Sequence, residues 1–354
     1  MQKLVEFFRL SAYGTIISFL MLITIFITKN YMPYELFLRE ALPFYKTDFK
    51  FLFTTKNYNL PNENENDFNN NCEVFNEIEP SDLINDIEYK KVTKPIFDSD
   101  QLCDLTFLKS KFYSVDKKTD LTLNDFDVKK FLAANTSIDN STDKVKVLIF
   151  HTHSTEMYKD SDNNNMYDGV VGLGAKLSQI LNDKYKIKTL HHTKRYDIVN
   201  SKPDKRGAYE RMETDVMKII KANPSIEVAI DIHRDGVAEN IHLVENINGK
   251  PTAKIMFVDG LCKLFRNNIL TPLNNLPNPY LDTNLALSFK MQLKCYELYP
   301  NLARKIYINA YRYSLNMLPK SLLVEVGAQT NTKQEALNAI EPLADVLAKV
   351  LLEQ

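Results

Sequence analysis

A mostly apolar run, Val145 to Phe150, empties directly into His151, His153 and Glu156 in the stretch VKVLIFHTHSTE. The run is too short for a helix and reads as a buried strand. In an open α/β sheet, ligands gather where strands end at their carboxyl termini, so the position of these polar residues matters as much as their type. Side chains alternate along a strand, and a chain that stays extended through residue 153 puts His151 and His153 on one side. A chain that turns after 153 folds Glu156 back beside His153. Either geometry collects two zinc donors at one strand end, and a third has to come from far along the chain.

The chain beyond this strand repeats the pattern. Segments at 187–190, 226–232, 254–258, 306–308 and 321–326 read as strands. Between them, 170–185, 204–222, 281–298 and 332–351 read as helices, with apolar residues at helical spacing such as Val170, Leu173, Leu177, Ile180 and Leu181. Strands alternating with helices predict an α/β fold whose sheet is mostly parallel, with helices on both faces. Residues 99–144 form a small N-terminal subdomain in this reading, with strands at 105–108 and 111–115 and a short helix at 125–132; the domain proper is 145–354. The polar, turn-rich 135–143 fits the junction between the two.

The amino-terminal part is of another kind. Residues 10–27 are apolar and uncharged between Arg9 and Lys29, close to the roughly 20 residues a membrane helix needs. No small-residue cleavage site comes after them, so an uncleaved anchor is expected, with 1–9 in the cytoplasm and the rest outside. Residues 28–98 then read as a flexible spacer, because KNYNLPNENENDFNNNC holds too few aliphatic side chains to offset the entropy of ordering it. A formal net charge of −1 gives no pull toward nucleic acid. Cys72, Cys103, Cys262 and Cys295 show no CxxC spacing, so neither a cysteine zinc site nor a disulfide framework is expected.

Polar groups thus stand at three strand ends: His151, His153 and Glu156 after the first, His233 after IEVAIDI, and Glu325 in SLLVEV. A catalytic zinc takes three protein ligands and keeps one position open. It lowers the pKa of bound water toward about 7, and a carboxylate then moves the proton. His153, Glu156 and His233 as ligands with Glu325 as the base supply each part once. His151 is the alternative ligand, or supports the ligands from behind. Arg234 and Asn331 are weaker candidates for steadying the oxyanion or substrate. His191 and His192 have no acidic neighbour in sequence, and they and His242 read as surface residues.

FHTHSTEMY, IDIHRDG, FVDG and LLVEVGAQTNT, in this order and spacing, resemble the stage II sporulation protein P family of endospore formers, and so does FYSVDKKTDLTLNDFDVKKFLAANTSID upstream. DIHRDG and LLVEVG also look like the matching segments of zinc N-acetylmuramoyl-L-alanine amidases. The resemblance covers 111–345 well and 28–100 hardly at all. It implies a zinc amidase-like fold and a membrane-anchored peptidoglycan hydrolase of forespore engulfment. The implied reactions are cleavage of the N-acetylmuramic acid–L-alanine amide and of stem-peptide cross-links. Implied partners are stage II sporulation proteins D and M, and the implied place is the mother-cell membrane, facing the intermembrane space. By motif, the ligand histidines fall on His153 or His151 and on His233, and the catalytic glutamate on Glu325. Many such amidases carry a ligand Glu just before the first helix; here NNNMYDGVVGLG offers only Asp168, and Glu156 takes that role. A zinc carboxypeptidase or other zinc hydrolase, and a wall-binding scaffold without activity, are the rival readings.

Overall fold

The computed structural model describes Phe97 and residues 99–353. The expected tail, anchor and nearly all of the spacer (1–9, 10–27 and 28–98) lie outside the described residues. Among the described residues no helix is long and apolar enough to cross a membrane. In chain order the elements are α1 (Ser99–Cys103), α2 (Leu105–Lys111), β1 (Tyr113–Val115), α3 (Val128–Ala133), β2 (Val147–Phe150), a 3-10 turn (Met166–Asp168), α4 (Val170–Asp183), β3 (Thr189–His191), β4 (Ile198–Val199), β5 (Lys202–Pro203), α5 (Ala208–Ala222) and β6 (Val228–Asp235). Then come β7 (Val244–Ile247), β8 (Lys250–Ala253), β9 (Ile255–Gly260), β10 (Lys263–Arg266), β11 (Ile269–Pro272), α6 (Leu281–Leu298), β12 (Ile306–Asn309), β13 (Lys320–Ala328) and α7 (Lys333–Leu351).

Seven strands form one sheet in the order β1-β12-β9-β13-β6-β2-β3. Every neighbouring pair is parallel except β9 and β13, which run antiparallel. The sheet is therefore two parallel blocks facing opposite ways, and β13, β6, β2 and β3 belong to the same block. Alternation along the strands sorts the core into two faces. Val147, Ile149, Val228, Ile230, Ile232, Val324 and Val326 face α4, α6 and α7. Leu148, Phe150 and Ala229 face α5, through Met212 and Val216. Toward β9 that second face is covered by Leu315 and Tyr313, which pack on Met256, Val258 and Leu323.

Two expectations change. Residues 105–108 are helical, not a strand: Asp104 caps α2 by accepting the Thr106 N–H at 2.8 Å, and a short apolar run has no periodicity of its own to decide the matter. Residues 99–144 also share the main core. β1 pairs with β12, and Phe112, Phe126 and Phe131 meet the Phe289 ring of α6 at 5.3, 5.6 and 6.1 Å.

Candidate active site

β13, β6 and β2 are parallel neighbours, so their carboxyl ends open on one edge of the sheet. Glu325 lies opposite His233, and Phe150 lies opposite Asp231. Asp231 and His233 are two apart on β6 and share the α5 face with Glu325.

β2 stops at Phe150, and the chain turns from Thr152 onward. That early turn separates the two histidines of HTH. His151 is fully buried; its Nδ1 sits 3.0 Å from the Ile232 carbonyl and its Nε2 2.9 Å from Nε2 of His191. The carbonyl can only accept, so Nδ1 of His151 carries the hydrogen, and His191 donates to the remaining nitrogen. Burial holds His151 near a pKa of about 4 and His191 near about 3, which keeps both rings neutral. His191 is therefore a half-buried partner of the strand end, contrary to its reading as a surface residue. Gly174 of α4 makes room for the pair: a Cβ there would lie 2.6 Å from Nε2 of His151 and 2.7 Å from Nε2 of His191. His192 bonds the Tyr196 hydroxyl at 2.7 Å, and His242 bonds Glu335 at 2.8 Å.

His153 goes to the other side. Its ring stands edge-on to His233, centroids 5.3 Å apart, and to Tyr209 at 5.5 Å. Burial and the nearby His233 charge hold its pKa at about 4, so it is a neutral imidazole. Glu156 folds back onto His233, with Oε2 3.3 Å from Nδ1, and Lys205 reaches its Oε1 at 3.2 Å. Burial works against the Glu156 charge, but His233, Lys205 and His153 outweigh it and bring the pKa to about 2. His233 shows the converse: burial disfavours its charge, yet Asp231 and Glu156 push its pKa well above the usual value. Glu325 goes the other way from Glu156. Burial first, then the Glu156, Asp235 and Asp231 carboxylates, raise it to about 8 against the pull of His233. Two carboxyl groups in one cluster with pKa values driven apart are the arrangement from which acid–base chemistry is built.

Among the described residues, two buried polar atoms at this centre, Nδ1 of His153 and Oε2 of Glu325, have no hydrogen-bond partner, while Nε2 of His233 faces Asp231 Oδ1 at 2.9 Å. Such atoms are costly unless something occupies them. The imidazoles of His153 and His233 and the carboxylate of Glu156 are also the donor types zinc takes. The residues thus fit a zinc ion in chemistry, although among the described residues no three His, Cys, Asp or Glu side chains stand converged as a ready metal-holding group.

The remaining candidates serve the scaffold. The Arg234 N–H donates to Glu156 Oε2 at 3.1 Å, and its Nε donates to the Met157 carbonyl at 2.8 Å, so Arg234 holds the Glu156 turn. Asn331 is fully buried with its amide committed, accepting from Ala328 N–H at 2.9 Å and donating to the Leu243 carbonyl and Glu335, each at 3.0 Å. Nothing of its side chain is left for a substrate oxyanion. Asp168 ends the 3-10 turn before α4 and pairs with Lys333 at 3.0 Å. Two carboxylates at the site are not legible as functional from sequence. Asp197 accepts from Ser154 Oγ at 2.7 Å and Thr155 N–H at 2.9 Å, bracing the turn. Asp231 interrupts an apolar strand, and that interruption is the signal that could have found it, because a charge in a buried run needs a partner.

The family described as Stage II sporulation protein P matches residues 43–348. Stage II sporulation protein P of Bacillus subtilis (strain 168) is 24% identical over 226 residues, 59% of this chain and 51% of that protein. The chain thus spans about half the length of the curated relative it matches. Among solved structures, an N-acetylmuramoyl-L-alanine amidase from Clostridium difficile 630 is similar at 15% identity and a TM-score of 0.33, over 60% of this chain and 95% of that one. The CwlD amidase from Clostridioides difficile, solved in complex with the GerS lipoprotein, is similar at 15% identity and a TM-score of 0.34, over 58% of this chain and 94% of that one. At these identities and scores no residue role or ligand transfers from them to this chain.

Proposed function

This chain belongs to the stage II sporulation protein P family, and on that premise we propose that it is a peptidoglycan hydrolase of sporulation, a zinc-dependent N-acetylmuramoyl-L-alanine amidase that also opens stem-peptide cross-links. The observation that carries the reading is the meeting of His153, Glu156 and His233 beside Glu325 at adjoining ends of parallel strands. His153, Glu156 and His233 would hold the metal. Bound zinc supplies Lewis acidity at the scissile carbonyl and a water of lowered pKa.

The chain's own groups do the rest. Glu325 is the proton carrier: its buried carboxyl sits at about 8, near neutrality, so it can both take a proton from the attacking water and give one to the leaving amine. Glu156, held ionised at about 2, is suited to stay an anionic donor throughout. Arg234 and Asp197 keep the turn that carries His153 and Glu156 in place. The anchored position in the mother-cell membrane, the substrate polymer and the association with stage II sporulation proteins D and M rest on the family alone.

The test separates ligand from base. Full-length protein in detergent is given isolated peptidoglycan, and new L-alanine amino termini and cross-link amines are counted. Glu325→Gln is nearly isosteric; it should retain zinc and wall binding yet hydrolyse at least roughly a hundredfold more slowly. Glu156→Gln should lose zinc along with activity. Loss of zinc in Glu325→Gln with retention in Glu156→Gln would exchange the two roles. An active parent that releases only carboxyl-terminal residues, or a parent that releases nothing, would favour the carboxypeptidase or the scaffold instead.

A further inference from the structure

We propose that Asp231 is the positioning residue that decides which nitrogen of His233 meets the metal, turning Nδ1 toward Glu156 and keeping the hydrogen on Nε2. The inference rests on the zinc reading of the site and adds to it a residue and a tautomer.

Asp231 is fully buried, on the same face of β6 as His233 and two residues before it. Thr152 occupies both of its oxygens: the backbone N–H donates to Oδ1 at 2.9 Å and the hydroxyl donates to Oδ2 at 2.6 Å. Oδ1 also lies 2.9 Å from Nε2 of His233. That approach is oblique, and among the described residues Nε2 has no hydrogen-bond partner besides it. A nitrogen so close to a buried carboxylate has to carry a hydrogen, because a bare lone pair there would face an anion in a medium that screens little. Nδ1 faces a carboxylate too, Glu156, but Asp231 is the nearer at 2.9 Å against 3.3 Å and is not itself a ligand, so the hydrogen on Nε2 stays and the one on Nδ1 is what a metal would replace.

Nδ1 is the nitrogen that looks at Glu156, 3.3 Å from Oε2. Two donors on a tetrahedral zinc ion with bonds of about 2.0–2.2 Å stand about 3.3–3.6 Å apart. The observed pair already has that spacing. An imidazole bound through one nitrogen and held by a carboxylate through the other is how proteins fix ring orientation at zinc. Asp231 does a second job through Thr152. Thr152 is the first residue of the turn that leads to His153 and Glu156, so the carboxylate that orients the β6 donor also ties down the segment bearing the other two. With both oxygens taken by Thr152, Asp231 is a support for the ligands rather than a ligand.

The experiment uses the full chain in detergent, with zinc as the probe. Zinc affinity is measured by chelator competition for the parent and for Asp231→Asn, with thermal unfolding of the metal-free proteins run alongside. The variant keeps size and loses charge, and its zinc affinity should fall about 10- to 100-fold. In parallel, the zinc-loaded parent labelled with 15N-histidine is examined for the state of the His233 ring. Metal on Nδ1 and a hydrogen on Nε2 is the expected result, and it needs no variant to fold. Metal on Nε2 overturns the assignment, and so does an Asp231→Asn variant that binds zinc within about twofold of the parent. A parent that takes up no zinc overturns this assignment together with the zinc reading, whereas zinc uptake with the wrong nitrogen overturns this assignment alone.

Discussion

At the scale of single residues, the chain keeps several carboxyl groups where water cannot reach them, and each is tuned by what surrounds it. Asp259 is the clearest case outside the site. It is fully buried in β9, accepts the Ser288 hydroxyl at 2.5 Å, and burial pushes its pKa up from 3.8 to about 7. The folded protein therefore prefers the neutral acid. Below a pH of about 4 the group is neutral in both states and costs nothing; as pH rises toward 7 the unfolded chain ionises first, and stability is lost up to the folded pKa. The difference between the two states corresponds to about 4 kcal/mol at most, at 1.36 kcal/mol per pH unit. Asp259→Asn removes the ionisation. Its melting temperature should pull ahead of the parent's between pH of about 4 and about 7, then hold a constant lead. Parallel melting curves for the two proteins across pH would refute the buried-acid account.

At the scale of elements, contacts that have no sequence signature set the ends of the strands. α4 looks from its periodicity like an ordinary amphipathic helix, and Gly174 looks like a weak point in it. Replacing a helical Gly by Ala is worth about 0.8–1.0 kcal/mol in propensity. At this position a Cβ would meet two imidazoles at 2.6 and 2.7 Å. The His151 ring cannot retreat, because its Nδ1 is tied to the Ile232 carbonyl. Overpacking of this kind costs about 1–3 kcal/mol, so the clash outweighs the gain. Gly174→Ala should lower the melting temperature, and adding His191→Ala should recover part of the loss by opening space. A higher melting temperature in the single variant would show that the histidine pair is not held rigidly. The helix ends are easier to read locally: Thr332 and Glu335 form a capping box at the start of α7, and Asp104 and Asp127 cap α2 and α3.

At the scale of the whole molecule, residues 99–144 and the rest of the described chain are built around one core. β1 completes the sheet at β12, and the Phe112, Phe126 and Phe131 rings close over Phe289. A chain beginning at residue 145 would expose those rings' partners on α6 and leave the β12 edge unpaired. It should therefore lack a cooperative unfolding transition and bind a hydrophobic dye, while a chain beginning at residue 97 should melt cooperatively. Equal cooperativity in the two would mean that 99–144 folds as a separate unit, as its position ahead of the polar 135–143 suggests when sequence alone is considered.

Local chemistry determined most of what could be read in advance. Apolar runs of strand length alternating with helical periodicity dictated an α/β sheet, and α6 runs from Leu281 to Leu298 as its pattern requires. The residue types at the strand ends, histidines and glutamates, are likewise a property of the sequence. Three things were decided only by long-range pairing. The chain turns at Thr152 because Asp231, 79 positions away, holds that residue, and this sends His153 and His151 to opposite sides. β9 runs against β13 because the hairpin and α6 return the chain into β12 parallel to β9, and residues 310–319 then reverse it into β13, a matter of connection rather than of either strand's composition. Asn331 is consumed by backbone groups of Ala328 and Leu243 that no spacing rule brings to it. Alternation and capping act over a few residues and are written in the chain. The partner of a buried polar group is chosen by the fold, because any donor or acceptor the packing brings near can satisfy it.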